Sequence, residues 1–333
     1  MNVRVVVVGA GPWGTTVANL AVRNASTTLW ARDPALAEEI DRHATNSRYL
    51  PGFALDPALR ATASLQDAVE AADVVVMAVP SHVFRDTLDE VAAHVRPWVP
   101  VVSLTKGLEP GTNLRMTEIV EEVLPGHPVG VLTGPNLSRE ILDGQAAAAV
   151  IALGVPHISE VLQRVFASDL FRVYPNDDVV GCEIAGAVKN VIALASGIAD
   201  GLGTGDNTRA TVITRGFGEM MRLGTALGGR SETLSGLAGM GDLIATCIAA
   251  EGRNRSFGEE LGRGRPLDEL LEVYPNGVEG VRAAASVMAL ARRHGIDLPI
   301  CAEMDAVVNY GRSPAEAYRG LLRRSPQAAL RSR

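Results

Sequence analysis

The first half of the chain alternates continuous apolar runs with amphipathic ones. The apolar runs at 3–8, 27–31, 74–79, 99–104 and 129–133 predict strands. Apolar positions three and four apart predict helices over 13–23, 34–42, 64–71, 83–95 and 114–123. Strands of near-continuous valine are buried on both faces, which calls for a parallel sheet covered by helices. After "FRVYPNDD" (171–178) such runs end, and helical stretches rich in Ala, Leu and Met occupy 179–196, 209–227, 255–262, 267–273, 280–294 and 302–310. The pattern predicts an α/β chain, with an N-terminal doubly wound sheet of the Rossmann type over 1–178 and a C-terminal all-α domain over 179–333. At 333 residues the chain exceeds the usual size of one core, in keeping with two domains.

One helical stretch breaks its own pattern. "EIAGAVKNVIALASG" (183–197) sets Lys189 and Asn190 among small apolar residues. On a helix Lys189 shares its face with Cys182, Ala185, Gly186, Ile192, Ala193 and Ser196, which normally pack inward. A lysine is rarely buried without compensation, so this one calls for a reason.

Composition narrows the possibilities. A formal charge of −7 argues against a dedicated nucleic-acid binder or a partner for anionic membranes. Any anionic ligand must then be drawn by local basic groups. Cys182, Cys247 and Cys301 lie far apart without a CxxC, and read as buried thiols in a reducing cytoplasm; a disulfide between them stays open. The apolar start lacks a signal peptide's cleavage region, and the uncharged run 146–156 is too short to span a bilayer. The reading is a soluble cytoplasmic protein. The six histidines show no metal or triad spacing, so no metal is expected; His82, in "VPSH" at a strand end, is the one histidine with a candidate role.

"VVVVGAGPWG" places Gly9, Gly11 and Gly14 in a GxGxxG that follows a strand and opens a helix. The first glycine allows the tight turn, the second the approach of a pyrophosphate, and the third close packing of helix on strand. The free N–H groups at the helix start then face the phosphates, against the plain alternative of a glycine turn. The second strand ends in "LWARDP", where an acid favours a ribose 2′-OH and an arginine a 2′-phosphate. Arg32 at the strand end admits NADPH, whereas Asp33 reads equally as the cap of the helix starting at Pro34.

Further candidates follow strand ends. Lys106 lies in "SLTKGLE", and Gly134, Pro135, Asn136 and Ser138 in "LTGPNLSRE". Lys106 could be a solvated lysine, and Asn136 or Ser138 a helix cap. In the helical half, Asp242 in "GLAGMGDLIATC" could also be a cap, and Arg253, Asn254 and Arg255 in "EGRNRSFG" a solvated patch.

Taken in order, "GAGPWGT", "VPSH", "TKGLE", "GPNLSRE", "GAVKNVIAL", "NTRATVITRG", "SGLAGMGDLIATC", "GRNRSFG" and "VEG" resemble bacterial NAD(P)-dependent glycerol-3-phosphate dehydrogenase over residues 3–322. The resemblance implies a Rossmann domain joined to a helical domain, with the active site in the cleft. It implies reversible reduction of dihydroxyacetone phosphate to sn-glycerol 3-phosphate for phospholipid synthesis, with NADP or NAD. It implies a cytoplasmic homodimer without nucleic acid or stable membrane insertion. Lys189 resembles the catalytic lysine. The substrate positions correspond to Lys106, Gly134, Asn136, Lys189, Asn190, Asp242, Gly252, Arg253 and Asn254. The cofactor positions correspond to Gly9, Gly11, Pro12, Trp13, Gly14, Arg32, Lys106, Ser138, Arg253, Gly277 and Glu279. Two positions depart from the family's pattern: Asn136 stands where a hydroxyl is common, and Gly252 where a serine often precedes Arg-Asn, which removes a side-chain phosphate contact that a backbone N–H could replace. Chemistry points the same way, since hydride addition to a ketone leaves an alkoxide that needs a placed general acid, and Asp242 can accept a hydrogen bond from Lys189. A β-hydroxyacid dehydrogenase and a non-catalytic dinucleotide sensor are the competing readings. The first should carry a carboxylate-binding motif instead of GMGDL and GRNR; the second could dispense with Lys189 and Asp242.

Overall fold

The computed structural model describes residues 3–250, 252–274 and 277–323. The chain divides into two compact units. The first holds the residues up to Thr105 together with Leu114–Val179; the second holds Lys106–Asn113 and the chain from Val180 onward. The excursion of 106–113 has no counterpart in the single break at 178/179 read from the sequence. Its Leu108 is buried in the helical unit's core.

In the first unit, one sheet contains β1 (Arg4–Val8), β2 (Ser26–Trp30), β3 (Arg60–Thr62), β4 (Val74–Met77), β5 (Val101–Ser103), β6 (Val129–Thr133), β7 (Ala147–Leu153) and β8 (Phe171–Asn176). Their order is β3-β2-β1-β4-β5-β6-β7-β8, so the first six strands follow the doubly wound arrangement. Pairing is parallel except between β6 and β7. Period-two alternation sends Val5, Val7, Val74 and Val76 to one core layer and Val6, Val8, Val75 and Met77 to the other. Both faces are buried, as the valine runs require. The helices are α1 (Pro12–Ala21), α2 (Pro34–His43), α3 (Leu65–Val69), α4 (Phe84–Ala92), α5 (Met116–Val123), α6 (Ser138–Leu142) and α7 (Pro156–Phe166).

In this unit the sequence reading lacks β3, β7, β8, α6 and α7, the three strands each for a physical reason. β3 is a three-residue edge strand. β7, "AAAVIAL", begins with alanines, which are poor strand formers. β8 carries Pro175, tolerated because β8 lies at the other edge of the sheet. The reversed β7 also makes the sheet mixed where an all-parallel one was expected.

The second unit is helical: α8 (Val179–Gly201), α9 (Asp206–Ala226), α10 (Ser231–Ser235), α11 (Asp242–Ile248), α12 (Arg253–Gly262), α13 (Leu267–Val273), α14 (Glu279–Arg293), α15 (Pro299–Tyr310) and α16 (Pro314–Arg323). A π-helical turn, Leu237–Gly241, leads into α11. Helix α8 is the core helix, buried from Gly181 to Ala199. Its length and apolarity would suffice to cross a membrane, but 89% of its most apolar window is buried inside the protein. Glycines let α8 touch α12 backbone to backbone: a Cβ on Gly197 would lie 2.0 Å from the Arg255 carbonyl oxygen, and one on Gly258 2.2 Å from that of Leu194. Small residues on α8 thus bring the "GRNR" segment close to Lys189's helix.

Candidate active site

The fingerprint loop sits where β1 hands over to α1. Gly9 has φ 120°, which favours glycine, and its N–H donates to the Trp30 carbonyl at the end of β2 (3.1 Å). A Cβ on Gly14 would lie 2.1 Å from the Gly9 oxygen, so only glycine lets α1 pack this tightly. A Cβ on Gly11 would meet nothing within 4 Å, leaving open space in front of α1. Gly11 caps α1 without a side chain and Pro12 follows at the first turn, so the helix's free N–H groups are not covered by a capping side chain. The Trp13 indole N–H is buried with no partner. These features fit a dinucleotide: space for pyrophosphate, bare helix N–H groups, and a buried donor without an acceptor.

At the end of β2, Arg32 is exposed and has no hydrogen-bond or ion-pair partner among the described residues. Asp33 does cap α2, accepting from the Ala35 N–H (2.9 Å). Gly134 (φ 136°) is buried after β6. Both polar atoms of the Asn136 amide are buried without a partner, and neither Asn136 nor Ser138 caps α6, whose N-cap is Leu137. The helix-cap reading of these two residues is therefore corrected. His82 is exposed in a short 3₁₀ turn, Ser81–Val83, after β4.

In the helical unit, three charged groups and a hydroxyl converge. Lys189 Nζ donates to Asp242 Oδ1 (2.6 Å) and to Thr246 Oγ1 (2.7 Å). Lys106 Nζ donates to Asp242 Oδ2 (2.7 Å). One carboxylate, 2% exposed, thus bridges two ammonium groups, and the trio carries one net positive charge. Burial pushes the Lys189 pKa down to about 8; the Asp242 charge opposes that fall and Lys106 adds to it. The lysine stays mainly protonated at neutral pH while becoming able to release its proton. Asp242 opens α11 without capping it, which corrects the cap reading. The hydroxyl of Thr246 donates to the Asp242 carbonyl (2.7 Å) one turn away, so α11 presents both groups to Lys189. Sequence reasoning missed Thr246, although its place four residues after Asp242 was the available signal.

A chain of amides ties these elements together. Asn190 Nδ2 donates to the Lys106 carbonyl (2.8 Å). Asn254 Nδ2 donates to Asn190 Oδ1 (2.9 Å), and the Gly280 N–H donates to Asn254 Oδ1 (2.8 Å). The two asparagines hold Lys106, α8, α12 and the start of α14 in register. Arg253 is exposed at the start of α12, with no hydrogen-bond or ion-pair partner among the described residues. Arg255 instead pairs with Asp200 (2.8 Å) and is largely buried, so the solvated-patch reading fails for it. Gly252 is also buried, and its N–H donates to the Ala249 carbonyl (3.1 Å), while α12 starts at Arg253 without a side-chain cap. Gly277 takes φ 64°, and Glu279 begins α14, 3.9 Å from Arg282.

Burial also settles the thiols, since all three cysteines are free and buried. The Cys247 thiol is pushed up to about 12 and cannot serve as a nucleophile at neutral pH.

A doubly wound sheet with a glycine fingerprint, together with a helical unit holding a compensated buried lysine, defines a dinucleotide-dependent dehydrogenase. The family model of the NAD-dependent glycerol-3-phosphate dehydrogenase N-terminus matches residues 4–158, and that of the C-terminus residues 178–319. The chain belongs to the NAD-dependent glycerol-3-phosphate dehydrogenase family. Among its relatives is glycerol-3-phosphate dehydrogenase [NAD(P)+] 2 of Sphingopyxis alaskensis, 55% identical over 98% of each chain. Glycerol-3-phosphate dehydrogenase [NAD(P)+] 1 of Mycobacterium tuberculosis is 52% identical over 97% of this chain and 95% of its own. The crystal structure of glycerol-3-phosphate dehydrogenase from Coxiella burnetii superposes with a TM-score of 0.93 at 34% identity, covering 97% of this chain and 99% of that one.

Proposed function

We propose that this chain reversibly reduces dihydroxyacetone phosphate to sn-glycerol 3-phosphate with NAD(P)H, residues 1–178 serving chiefly dinucleotide binding and 179–333, joined by 106–113, chiefly substrate binding and catalysis. The observation that carries the reading is the Lys189–Asp242–Lys106 centre. Bound nicotinamide supplies the hydride. Lys189, as ammonium, donates the proton that the nascent alkoxide takes up, and as amine it receives that proton back during oxidation. Asp242 and Thr246 fix the ammonium's direction, and the Asp242 charge opposes the loss of its proton. Lys106 adds the second positive charge beside an anionic substrate.

Arg253 supplies a planar fork for the substrate phosphate, and by its place in the family motif it belongs to the cofactor set as well. Asn190 and Asn254 serve the substrate by holding Lys106 and the start of α12 in place. The unpaired Asn136 amide beside Gly134 offers the substrate one donor and one acceptor. For the dinucleotide, Gly9, Gly11, Pro12, Trp13 and Gly14 form the pyrophosphate seat, and Arg32 faces the adenosine ribose; Lys106, Ser138, Gly277 and Glu279 complete the cofactor set by their place in the family motifs. The enzyme acts as a cytoplasmic homodimer without membrane insertion, and its product supplies glycerophospholipid synthesis.

The test is a spectrophotometric assay with NADH and NADPH in parallel, using dihydroxyacetone phosphate against unphosphorylated dihydroxyacetone and hydroxy acids. Activity confined to the phosphorylated ketone and its alcohol supports the reading. Comparable turnover of a hydroxy acid overturns it.

A further inference from the structure

The end of β2 carries a mixed signal, an unpartnered Arg32 beside an acidic Asp33. A free carboxylate there would accept a ribose 2′-OH and repel a 2′-phosphate. Asp33 is not free. Arg48 places its Nη2 2.5 Å from Asp33 Oδ2, while Asp33 Oδ1 accepts the Ala35 N–H. Arg48's guanidinium and that N–H hold the Asp33 carboxyl below the usual carboxylate range.

Arg48 is also held at this place by the fold. It belongs to the turn after α2, and the neighbouring Asn46, fully buried, donates from Nδ2 to the Ala10 carbonyl (3.0 Å) and to Thr15 Oγ1 (2.9 Å). The Arg48 turn is therefore pinned to the glycine fingerprint itself. On its other side, the Ser47 N–H and hydroxyl both donate to Glu39 (2.7 and 2.9 Å). The Gly9 N–H bonds the Trp30 carbonyl, which brings the fingerprint and the β2 end side by side. Arg48 remains half-exposed, with room for a further acceptor.

We infer that Arg48 is a cofactor-specificity residue: it cancels the Asp33 charge that would select NADH, and with Arg32 it offers a second guanidinium to a 2′-phosphate. The inference rests on the dehydrogenase reading and adds to it a residue outside the motifs that suggested that reading. With one oxygen held by the Ala35 N–H and the other by the Arg48 guanidinium, the Asp33 carboxylate presents less negative charge to a ribose hydroxyl. A phosphate bearing about two charges can instead take up the fork of Arg48, which is ion-paired to Asp33, the residue next to Arg32 in the chain.

Calorimetric titration of the whole protein with NADPH, NADH, 2′,5′-ADP and 5′-AMP tests this without turnover. Arg48→Ala is expected to weaken NADPH and 2′,5′-ADP about tenfold, the scale of one charge-assisted hydrogen bond. NADH and 5′-AMP should bind as before or more tightly, because Asp33 is released. Asp33→Asn keeps a capping side chain; combined with Arg48→Ala it should recover part of the NADPH affinity and lose any gain for NADH. An unchanged NADPH-to-NADH ratio in Arg48→Ala, whether both weaken equally or neither does, overturns the inference. If that variant fails to fold, Arg48→Lys, which keeps the charge and loses the fork, must show the same loss selective for 2′-phosphate. Wild-type protein that binds neither dinucleotide removes the dehydrogenase reading instead, and the inference with it.

Discussion

Asp242→Asn isolates what the bridging carboxylate does. The substitution is nearly isosteric and removes one negative charge from between two ammonium groups, 2.6 and 2.7 Å away. At an effective dielectric of about 20, each such contact is worth about 6 kcal/mol of attraction before desolvation is subtracted. Breaking a buried pair typically costs about 3–5 kcal/mol, because the partner is left charged in a dry place. Lys189 can escape that cost by releasing its proton. Its pKa of about 8 already includes the Asp242 charge. Removing an opposite charge at contact distance lowers a lysine by about 1–3 units, so the variant's Lys189 is mostly amine at neutral pH.

Two measurements follow from that shift. The kcat for ketone reduction, which needs the ammonium, falls in the wild type as pH rises through about 8; in Asp242→Asn this limb moves about 1–3 units to lower pH. Oxidation, which needs the amine, gains with rising pH and its limb moves the same way. Stability obeys the same linkage. Lys189's folded pKa lies below its unfolded 10.5, so between about 8 and 10.5 the unfolded chain binds more protons and stability rises with pH. Below that window this group gives no slope. In the variant the rising region begins at lower pH, visible in Tm against pH. A folded Asp242→Asn protein whose kcat limb and Tm profile keep their wild-type positions would refute the coupling.

Lys189→Met keeps the stem and leaves Asp242 paired with Lys106, so the protein should fold and bind NADPH while kcat falls about 10²–10⁴-fold; turnover above about a tenth of wild type in steady-state assays would sink the acid–base role. Arg253→Lys keeps the charge and loses the fork, so affinity for the phosphorylated substrate should drop by about 1.5–3 kcal/mol, read as KM or by product titration, and dihydroxyacetone should react poorly with either enzyme. Arg32→Ala should raise KM for NADPH and spare that for NADH; equal effects on both would make it a structural arginine.

Much of the fold was legible because valine-rich strands and leucine-rich helices announce themselves by period. β6 was read to the residue, and most other elements of the first half within a few positions. What escaped was decided by tertiary context. β7 is a strand because a neighbouring edge accepts it, not because "AAAVIAL" prefers to be one. Segment 106–113 joins the helical unit through Leu108 and the Asn190–Lys106 bond, contacts spanning some eighty residues of sequence that no local pattern encodes.

The site divides the same way. Lys189 stood out because a lysine on an apolar face violates the pattern, and such violations are where function is expected. Asp242 was legible only through its motif, since its sequence neighbourhood reads as a cap. The π-helical turn before it, where the Gly241 N–H reaches back to the Gly236 carbonyl (3.0 Å), delivers the carboxylate into the helix's first turn instead of the capping position. Gly239 permits that turn, because a Cβ there would fall 1.9 Å from the Leu234 carbonyl oxygen. The glycines of "SGLAGMGD" are therefore read most directly as backbone geometry. They let an acid that would otherwise cap a helix reach a buried lysine, and that contact resolves the anomaly of Lys189: its charge is compensated inside the protein by Asp242, at a strength that leaves the proton free to move near neutral pH.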